Sequence, residues 1–455
     1  MAIVGRFAMT RRTSSWRDRS TMDPPARWDG RRRVLHPCTG GTSDRPGSVV
    51  TERRNSHHMW PLVIVLLFAA AGLQACSHPA RLASPPQEIA LQVVVLDLPQ
   101  ARFWPVQQTQ EFVEEGMQAL EREMAYLDVT DFDDLPPANF LAISGGGDDG
   151  AFGAGLLVGW SKSGTRPEFK MVSGISTGAL IAPYAFLGSG YDGPLSRMYT
   201  TISARNIYEE RGPIAALFED AAADSTPLFG LIAERVDDEV IAAIAREYAR
   251  GRMLLIGTTN LDARQPIVWN IGALASSGRP GAHDLIHKIL LASASIPGLF
   301  PPVMIDVEVD GEPYQEMHVD GGAMAQLFLY PPAVARDFID AGIERERRAY
   351  IIRNGHISGD WDPVQRQAFE VVGRAISTMI FASGVNDVIR TYFIAQRDGV
   401  DFHYAFIADD FEAPETNDDF DPKYMNALYK YGFEKARQGF EWHKAPSILG
   451  MPAAQ

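Results

Sequence analysis

A serine stands between two glycines where an apolar run of the chain ends. The pentapeptide Gly174-Ile-Ser-Thr-Gly178 follows the apolar residues 169–173 and precedes a second apolar segment. This order is typical of a strand that turns sharply into a helix and projects the serine hydroxyl. The two glycines leave room for the helix to fold back on the strand, and the helix N-terminus attracts an anion. We therefore predict that Ser176 is a nucleophile.

A glycine-rich segment lies before this serine. Residues 139–144 have the pattern of a buried strand, and Gly145-Gly-Gly-Asp-Asp-Gly150 follows them. Such a loop exposes several backbone N–H groups in a concave nest, which beside a nucleophile is an oxyanion hole. The same residues fit the dinucleotide pattern Gly-x-Gly-x-x-Gly, which requires an acidic residue at the end of the second strand. Glu168 precedes that strand instead, so we favour the oxyanion loop.

An aspartate with two following glycines lies further along the chain. Met317-His-Val-Asp-Gly-Gly322 has the pattern of a short strand that ends at Asp320. An aspartate within hydrogen-bond reach of a serine accepts its proton directly in a pocket of low dielectric. Taken alone, Asp-Gly-Gly is more typical of a simple turn.

Together, the three motifs resemble the patatin-like phospholipases. That family has a Gly-Gly-Gly-x-x-Gly oxyanion loop, a Gly-x-Ser-x-Gly elbow and an Asp-Gly-Gly/Ala motif, in the order seen here. Two further stretches resemble the family, Thr259–Asp262 with Val268–Asn270, and the proline-rich residues 292–303. The resemblance covers residues 138–325 and extends toward residue 410.

The resemblance implies a serine–aspartate pair, with Ser176 as nucleophile and Asp320 as general base. Gly321 and Gly322 complete the aspartate motif. The reaction would be hydrolysis of an ester of a phospholipid or other lipid through an acyl-enzyme, without a metal or organic cofactor. The N–H groups of the oxyanion hole would come from Gly145, Gly146, Gly147 and Asp148.

One residue departs from the family pattern. The family's glycine loop carries Arg or Lys where this chain has Asp149, which Asp148 precedes. Carboxylates beside a developing oxyanion are unfavourable if they point inward. We expect them to point to solvent or to cap the following helix. The missing basic residue affects the expected rate more than the expected reaction class.

Histidines leave other arrangements open. A serine–histidine–aspartate triad would combine Asp320 with His356 or His403, because the acid precedes the histidine in α/β-hydrolases. His318 shares a strand face with Asp320, so it either orients the site or is a half-buried sheet residue, which we favour. A zinc pair at His283 and His287 lacks both the Glu of His-Glu-x-x-His and a third ligand.

The N-terminal residues predict export. Residues 1–58 contain twelve arginines and five acidic residues, without the regular interleaving of aromatic residues or the helical periodicity of a nucleic-acid site. We interpret them as a disordered extension or as a mis-assigned start before Met59. Residues 59–76 have the layout of a secretory signal, and their apolar part is too short for a comfortable membrane span. Leu73-Gln-Ala-Cys76 resembles the lipobox of bacterial lipoproteins, so we predict lipidation of Cys76.

The remaining chain predicts an α/β fold. Residues 77–135 would contain a linker, a Val-rich strand at 91–96 and an amphipathic helix at 111–127. Residues 136–410 would be the catalytic domain, and residues 411–455 a tail with a helix at 422–442. Strands alternate with helices, which indicates a mainly parallel sheet. Residues 307–314 have the pattern of a hairpin with an Asp-Gly turn. The resemblance implies a three-layer α/β/α patatin-like sandwich.

The sequence thus favours a lipid-acting serine hydrolase of the phospholipase A type. It would lie in the bacterial cell envelope, lipid-anchored at the outer membrane or periplasmic face, or be secreted. Alternatives are a carboxylesterase for soluble esters and a non-catalytic lipid-binding lipoprotein of the same fold. The chain has a formal net charge of −15, and residues 1–58 are basic, so the remainder is strongly acidic. Membrane contact would therefore come from the lipid anchor or from apolar loops.

Overall fold

The computed structural model describes residues 81–211, 220–332, 345–359, 363–416 and 418–450, together with residues 334, 343 and 361. All of these residues belong to one compact unit. The predicted N-terminal extension, the signal segment and Cys76 lie outside the described residues. Within the described residues, no helix combines the length and the apolar character needed to cross a membrane.

A single sheet of nine strands forms the centre of the described residues. Five neighbouring strands, β6, β3, β2, β10 and β11, are parallel, while β1 and β7 continue the sheet antiparallel beyond β6. The hairpin β8–β9 joins through β6, and β4–β5 is a separate pair. The strands are β1 Arg102–Phe103, β2 Ala138–Ile143, β3 Met171–Gly174, β4 Glu209–Glu210, β5 Ala223–Asp224, β6 Met253–Asn260, β7 Gln265–Asn270, β8 Val303–Val309, β9 Glu312–Asp320, β10 Arg347–Ile352 and β11 Asp401–Ala405.

Helices cover both faces of the sheet. Alternate residues of each parallel strand point to opposite faces, so Leu141 of β2 packs in one apolar core and Ala142 in the other. The result is the predicted three-layer α/β/α arrangement with a mainly parallel sheet. The described helices are α1 Thr109–Leu127, α2 Gly150–Lys162, α3 Thr177–Leu187, α4 Asp192–Thr200, α5 Ala204–Ile207, α6 Thr226–Arg235, α7 Asp238–Ala249, α8 Ile271–Ser276, α9 Ala282–Ser293, α10 Ala368–Arg397 and α11 Pro422–Arg437.

The parallel strands bring distant motifs to one edge. The glycine loop follows β2, Ser176 follows β3, and residues 353–354 follow β10, all at the carboxyl ends of adjacent strands. Asp320 ends β9, which runs antiparallel to β6 and pairs Asp320 with Thr258. Because ligands bind at the carboxyl edge of parallel sheets, this edge is where a functional site is expected.

Most predicted elements are present, with one correction. The strand predicted at 91–96 is wrong, because Leu96 and Asp97 adopt left-handed conformations that reverse the chain. Only Val94 and Val95 form isolated bridges there. The hairpin turn at Asp310 and Gly311 is confirmed, with φ values of 52° and 82°. The helix expected at 422–442 is α11, which ends at Arg437. The boundaries at 136 and 410 stay predictions.

Candidate active site

Ser176 occupies a strained corner between β3 and α3. Its backbone has φ 55° and ψ −127°, a combination that costs energy for a residue with a side chain. The flanking glycines permit the corner, because a Cβ on Gly174 would lie 2.3 Å from the Gly178 carbonyl oxygen. The Ser176 N–H donates to Ser293 Oγ at 3.0 Å, and Ser293 in turn donates to the Gly257 carbonyl at 2.7 Å. The predicted serine elbow is therefore present, with Ser293 as an unpredicted support.

Asp320 lies beside this serine in a buried position. Burial raises the pKa of Asp320 to about 7, against the opposing effects of hydrogen bonds from Ser176 and from the Gly322 N–H. The Gly322 N–H lies 2.7 Å from Asp320 Oδ1. Asp320 thus has the environment of a carboxylate that exchanges a proton with a neighbouring hydroxyl near neutral pH.

The glycine loop forms the wall of the pocket next to Ser176. Gly146 has φ 153° and Gly147 has φ 59°, conformations that a residue with a side chain rarely adopts. Gly145 differs from the prediction, because its N–H donates to the Gln326 carbonyl at 3.2 Å and so does not face a substrate. The other predicted donors, Gly146, Gly147 and Asp148, line the pocket together with Ser176.

Asn354 holds the glycine loop from the adjacent strand end. Its backbone N–H donates to Ser144 Oγ and its Nδ2 donates to the Ser144 carbonyl, both at 2.9 Å. Its Oδ1 accepts from the Gly153 N–H in the first turn of α2 at 3.0 Å. A Cβ on Gly146 would lie 2.0 Å from the Asn354 carbonyl oxygen. Asn354 therefore fixes both ends of the loop, a role that the sequence pattern did not indicate.

Asp149 does not cap the helix that follows it, contrary to expectation. The side chain makes no capping hydrogen bond with α2, and it is buried rather than exposed. Its Oδ1 accepts a hydrogen bond from the Tyr424 hydroxyl at 2.6 Å. Burial lowers the pKa of the nearby Arg353, while the charge of Asp149 raises it. The loop carboxylate is thus balanced by groups from α11 and from the end of β10.

The pocket around Ser176 has a polar side and an apolar side. The glycine loop, Asp320 and Arg353 contribute polar groups, and Asp418 and Asp419 add acidic ones. Helix α10 and the segment after α9 contribute the apolar side, in which Arg353 also stacks on Phe381 at 5.4 Å. This combination suits an ester that carries an acyl chain. The apolar lining residues are Ile296, Pro297, Leu299, Ile376, Ile380 and Phe381.

The structure places the candidate histidines in different surroundings. His356 lines the pocket, and its carbonyl oxygen accepts from Arg353 Nε at 3.0 Å. His403 stacks on Tyr350 at 4.5 Å and contacts Lys444. His318 is fully buried, with Nδ1 2.9 Å from Thr258 Oγ1 and Nε2 3.1 Å from Glu316. The favoured interpretation of His318 as a sheet residue is confirmed, although the residue is more buried than expected.

The zinc pair considered at α9 has other partners. His283 lies 2.8 Å from Asp238, and His287 lies 2.7 Å from the Val236 carbonyl oxygen. Across the part of the chain that the structure describes, no group of three His, Cys, Asp or Glu residues has a metal-binding arrangement. A second, mainly apolar cavity lies at the amino ends of the strands, among Phe112, Leu120 and Met171, and Lys170 also contributes to its lining.

The comparison with protein families agrees with the motifs. Residues 141–332 match the family model described as patatin-like phospholipase. VipD from Legionella pneumophila is structurally similar at 12% identity and a TM-score of 0.32, over 67% of this chain and 66% of that one. Human GIVD cytosolic phospholipase A2 is similar at 12% identity and a TM-score of 0.29, over 68% and 52%. The chain thus spans about two thirds of the first protein and half of the second. No curated protein matches the sequence.

The fold and the site define an α/β protein with a serine elbow, a glycine-rich loop and a buried aspartate at one edge of a parallel sheet. Within that class, residues 141–332 belong to the patatin-like phospholipase family. The matched residues contain Ser176, Asp320 and the whole glycine loop.

Proposed function

We propose that this protein is a serine-dependent lipid acyl hydrolase of the phospholipase A type. The observation that carries the proposal is that Ser176, at its strained corner, and the buried Asp320 line the same pocket. A serine hydroxyl is a weak nucleophile at its ordinary pKa and needs a base within hydrogen-bond reach. Asp320 meets this requirement with a pKa of about 7, close to the pH at which a general base works best.

The proposed reaction has two halves. Ser176 Oγ attacks the ester carbonyl carbon, Asp320 accepts the hydroxyl proton, and the carbonyl oxygen becomes an oxyanion beside the N–H groups of Gly146, Gly147 and Asp148. Collapse of this intermediate breaks the ester bond, and the alcohol leaves with the proton from Asp320. Water then gives a proton to Asp320 and attacks the acyl-enzyme. The fatty acid is released, and Ser176 recovers its proton.

The apolar side of the pocket supports a lipid substrate. Ile376, Ile380 and Phe381 of α10 line the same pocket as Ser176, and an acyl chain bound against them is removed from water. We also propose that lipidation of Cys76 tethers the protein in the bacterial cell envelope. That tether would hold the pocket near its substrate and increase the effective concentration of lipid.

The test is fatty-acid release by the full chain from phosphatidylcholine vesicles and from a short-chain nitrophenyl ester. We expect Ser176→Ala to reduce both rates by several orders of magnitude. Ser276→Ala is a matched control, because that hydroxyl donates only to its own helix at Ala273. Cleavage of the soluble ester alone would indicate a carboxylesterase. A Ser176→Ala variant as active as the wild type would refute the proposal.

A further inference from the structure

Helix α10 has apolar residues on two opposite sides over its first half. From residue 368 to residue 386 the only charged residues are Glu370 and Arg374. The inner side faces the pocket through positions spaced three and four apart, as expected for one side of a helix. These inner residues are Gly373, Ile376, Ser377, Ile380 and Phe381.

The outer side of the same helix is exposed to solvent. Exposed fractions are 51% for Val371, 55% for Val372 and 63% for Met379, all large for apolar side chains. Ala375 and Ala382 are also exposed and extend the same side of the helix. We call these five residues the outer stripe. A contiguous apolar surface of this kind marks an interaction site more often than isolated exposed residues do.

The positive and negative side chains near the outer stripe differ in how exposed they are to solvent. Arg366 and Arg390, before and after the stripe, are exposed. The acidic residue near Arg390 is Asp387, which is buried. Its carboxylate accepts a hydrogen bond from the Gln326 N–H at 2.7 Å and pairs with Arg390 at 2.9 Å. From residue 366 to residue 390 three arginines stand against two acidic residues, a net charge of +1, although the whole chain carries a net charge of −15.

We propose that the outer stripe docks the protein onto a phospholipid bilayer surface. The proposal rests on the lipid hydrolase function proposed above. The apolar stripe would enter the boundary between head groups and acyl chains, while the flanking arginines would bind lipid phosphates. Because the other side of α10 forms the pocket wall, this docking places the pocket next to the lipid. A substrate then moves past one helix, about 10 Å thick, to reach Ser176.

Charge argues against a second copy of the chain as the occupant. Packing of two stripes about a two-fold axis places Arg366 of one copy against Arg390 or Arg366 of the other. Like charges at such an interface are unfavourable. Lipid phosphates are complementary to both arginines at the same time.

The kinetic test compares Met379→Asp and Val372→Asp with a matched control. The control is Val106→Asp, which changes another exposed apolar residue, 74% accessible, away from α10. For each full-chain variant, the rate on phosphatidylcholine vesicles is divided by the rate on a short-chain nitrophenyl ester. We expect this ratio to fall about tenfold or more for the two stripe variants and to stay at the wild-type value for the control. An unchanged ratio in both stripe variants would overturn the proposal.

The binding test does not depend on activity. In full chain carrying Ser176→Ala, Cys38→Ser and Cys76→Ser, a polarity-sensitive fluorophore is attached at Ala375→Cys or, as control, at Val106→Cys. We expect phosphatidylcholine vesicles to shift the emission to the blue at position 375 and not at 106. No shift, or equal shifts at both positions, would contradict docking by the stripe.

The two proposals fail in different ways. A wild type inactive on both substrates but with a blue shift at position 375 would refute the hydrolase and retain the docking surface. A stripe variant with a lower mass in solution and unchanged vesicle hydrolysis would show that the stripe binds a second copy of the chain, and would overturn the docking proposal.

Discussion

Replacing Asp320 with asparagine should stabilise the fold at neutral and alkaline pH while it removes activity. The ordinary pKa of an aspartate is 3.8, and burial raises the pKa of Asp320 to about 7. Because each pH unit between these values corresponds to about 1.4 kcal/mol, an ionised Asp320 costs the native state up to about 4 kcal/mol. Asparagine has nearly the same shape and keeps an acceptor for the Gly322 N–H, without the buried charge.

The sign of the pH dependence follows from proton binding. Between pH 3.8 and about 7 the unfolded chain has released this proton and the native protein has kept it. The contribution of Asp320 to stability is therefore fully present below pH 3.8 and is lost as the pH rises through 7. The stability gained by Asp320→Asn should be small near pH 4 and should reach a plateau near pH 8.

Urea unfolding at several pH values between 5 and 8 measures this difference. Asp306→Asn is the matched control, since Asp306 is an exposed aspartate of β8 whose replacement should change stability by less than about 0.5 kcal/mol. In the wild type, kcat/KM for a soluble ester should fall about fivefold between pH 7 and pH 6, as the base becomes protonated. A stability gain that is equal at all pH values, or a variant less stable at pH 8, would refute the reasoning.

The glycine loop allows two further predictions. Gly146→Ala should reduce kcat by about 10² or more, because the new Cβ would lie 2.0 Å from the Asn354 carbonyl oxygen. Gly147→Ala has open space and should lose less, so equal losses in the two variants would contradict this packing argument. Asn354→Asp should lower kcat by about tenfold with little change in KM, because it loses the donor to the Ser144 carbonyl. Asn270→Asp, which keeps the cap on Ala273, is the control, and a matching loss of activity there would exclude a specific role for Asn354.

Local patterns in the sequence predict the core of the site. The elbow at Ser176 is encoded within about ten residues, because an apolar run and two glycines specify a strand, a sharp turn and a helix. The hairpin at Asp310 and Gly311 is equally local, since an Asp-Gly pair favours the left-handed conformations seen there. The prediction of a strand at 91–96 was wrong because the turn at Leu96 contains no glycine or asparagine that would indicate it in the sequence.

The supporting residues are not predictable from local patterns. Asn354 bonds with Ser144 across 210 residues of sequence, and Tyr424 bonds with Asp149 across 275 residues. Each residue type has many ordinary surface roles, and only the order of strands in the sheet brings it to the pocket. Helix α10 presents a similar difficulty, because a helix that is apolar on two sides has the composition of a buried core helix.

The acidic residue at position 149 shows how the structure changes an inference from sequence. From the motif alone, Asp149 replaces a basic residue and brings negative charge toward the oxyanion. In the folded protein its carboxylate is held by the Tyr424 hydroxyl, and Arg353 lies close enough for the two charges to interact. Arg353 follows β10, which is adjacent to β2 and its glycine loop. The family motif places a basic residue at position 149. In this protein the positive charge of the pocket comes instead from Arg353, at the end of the neighbouring strand.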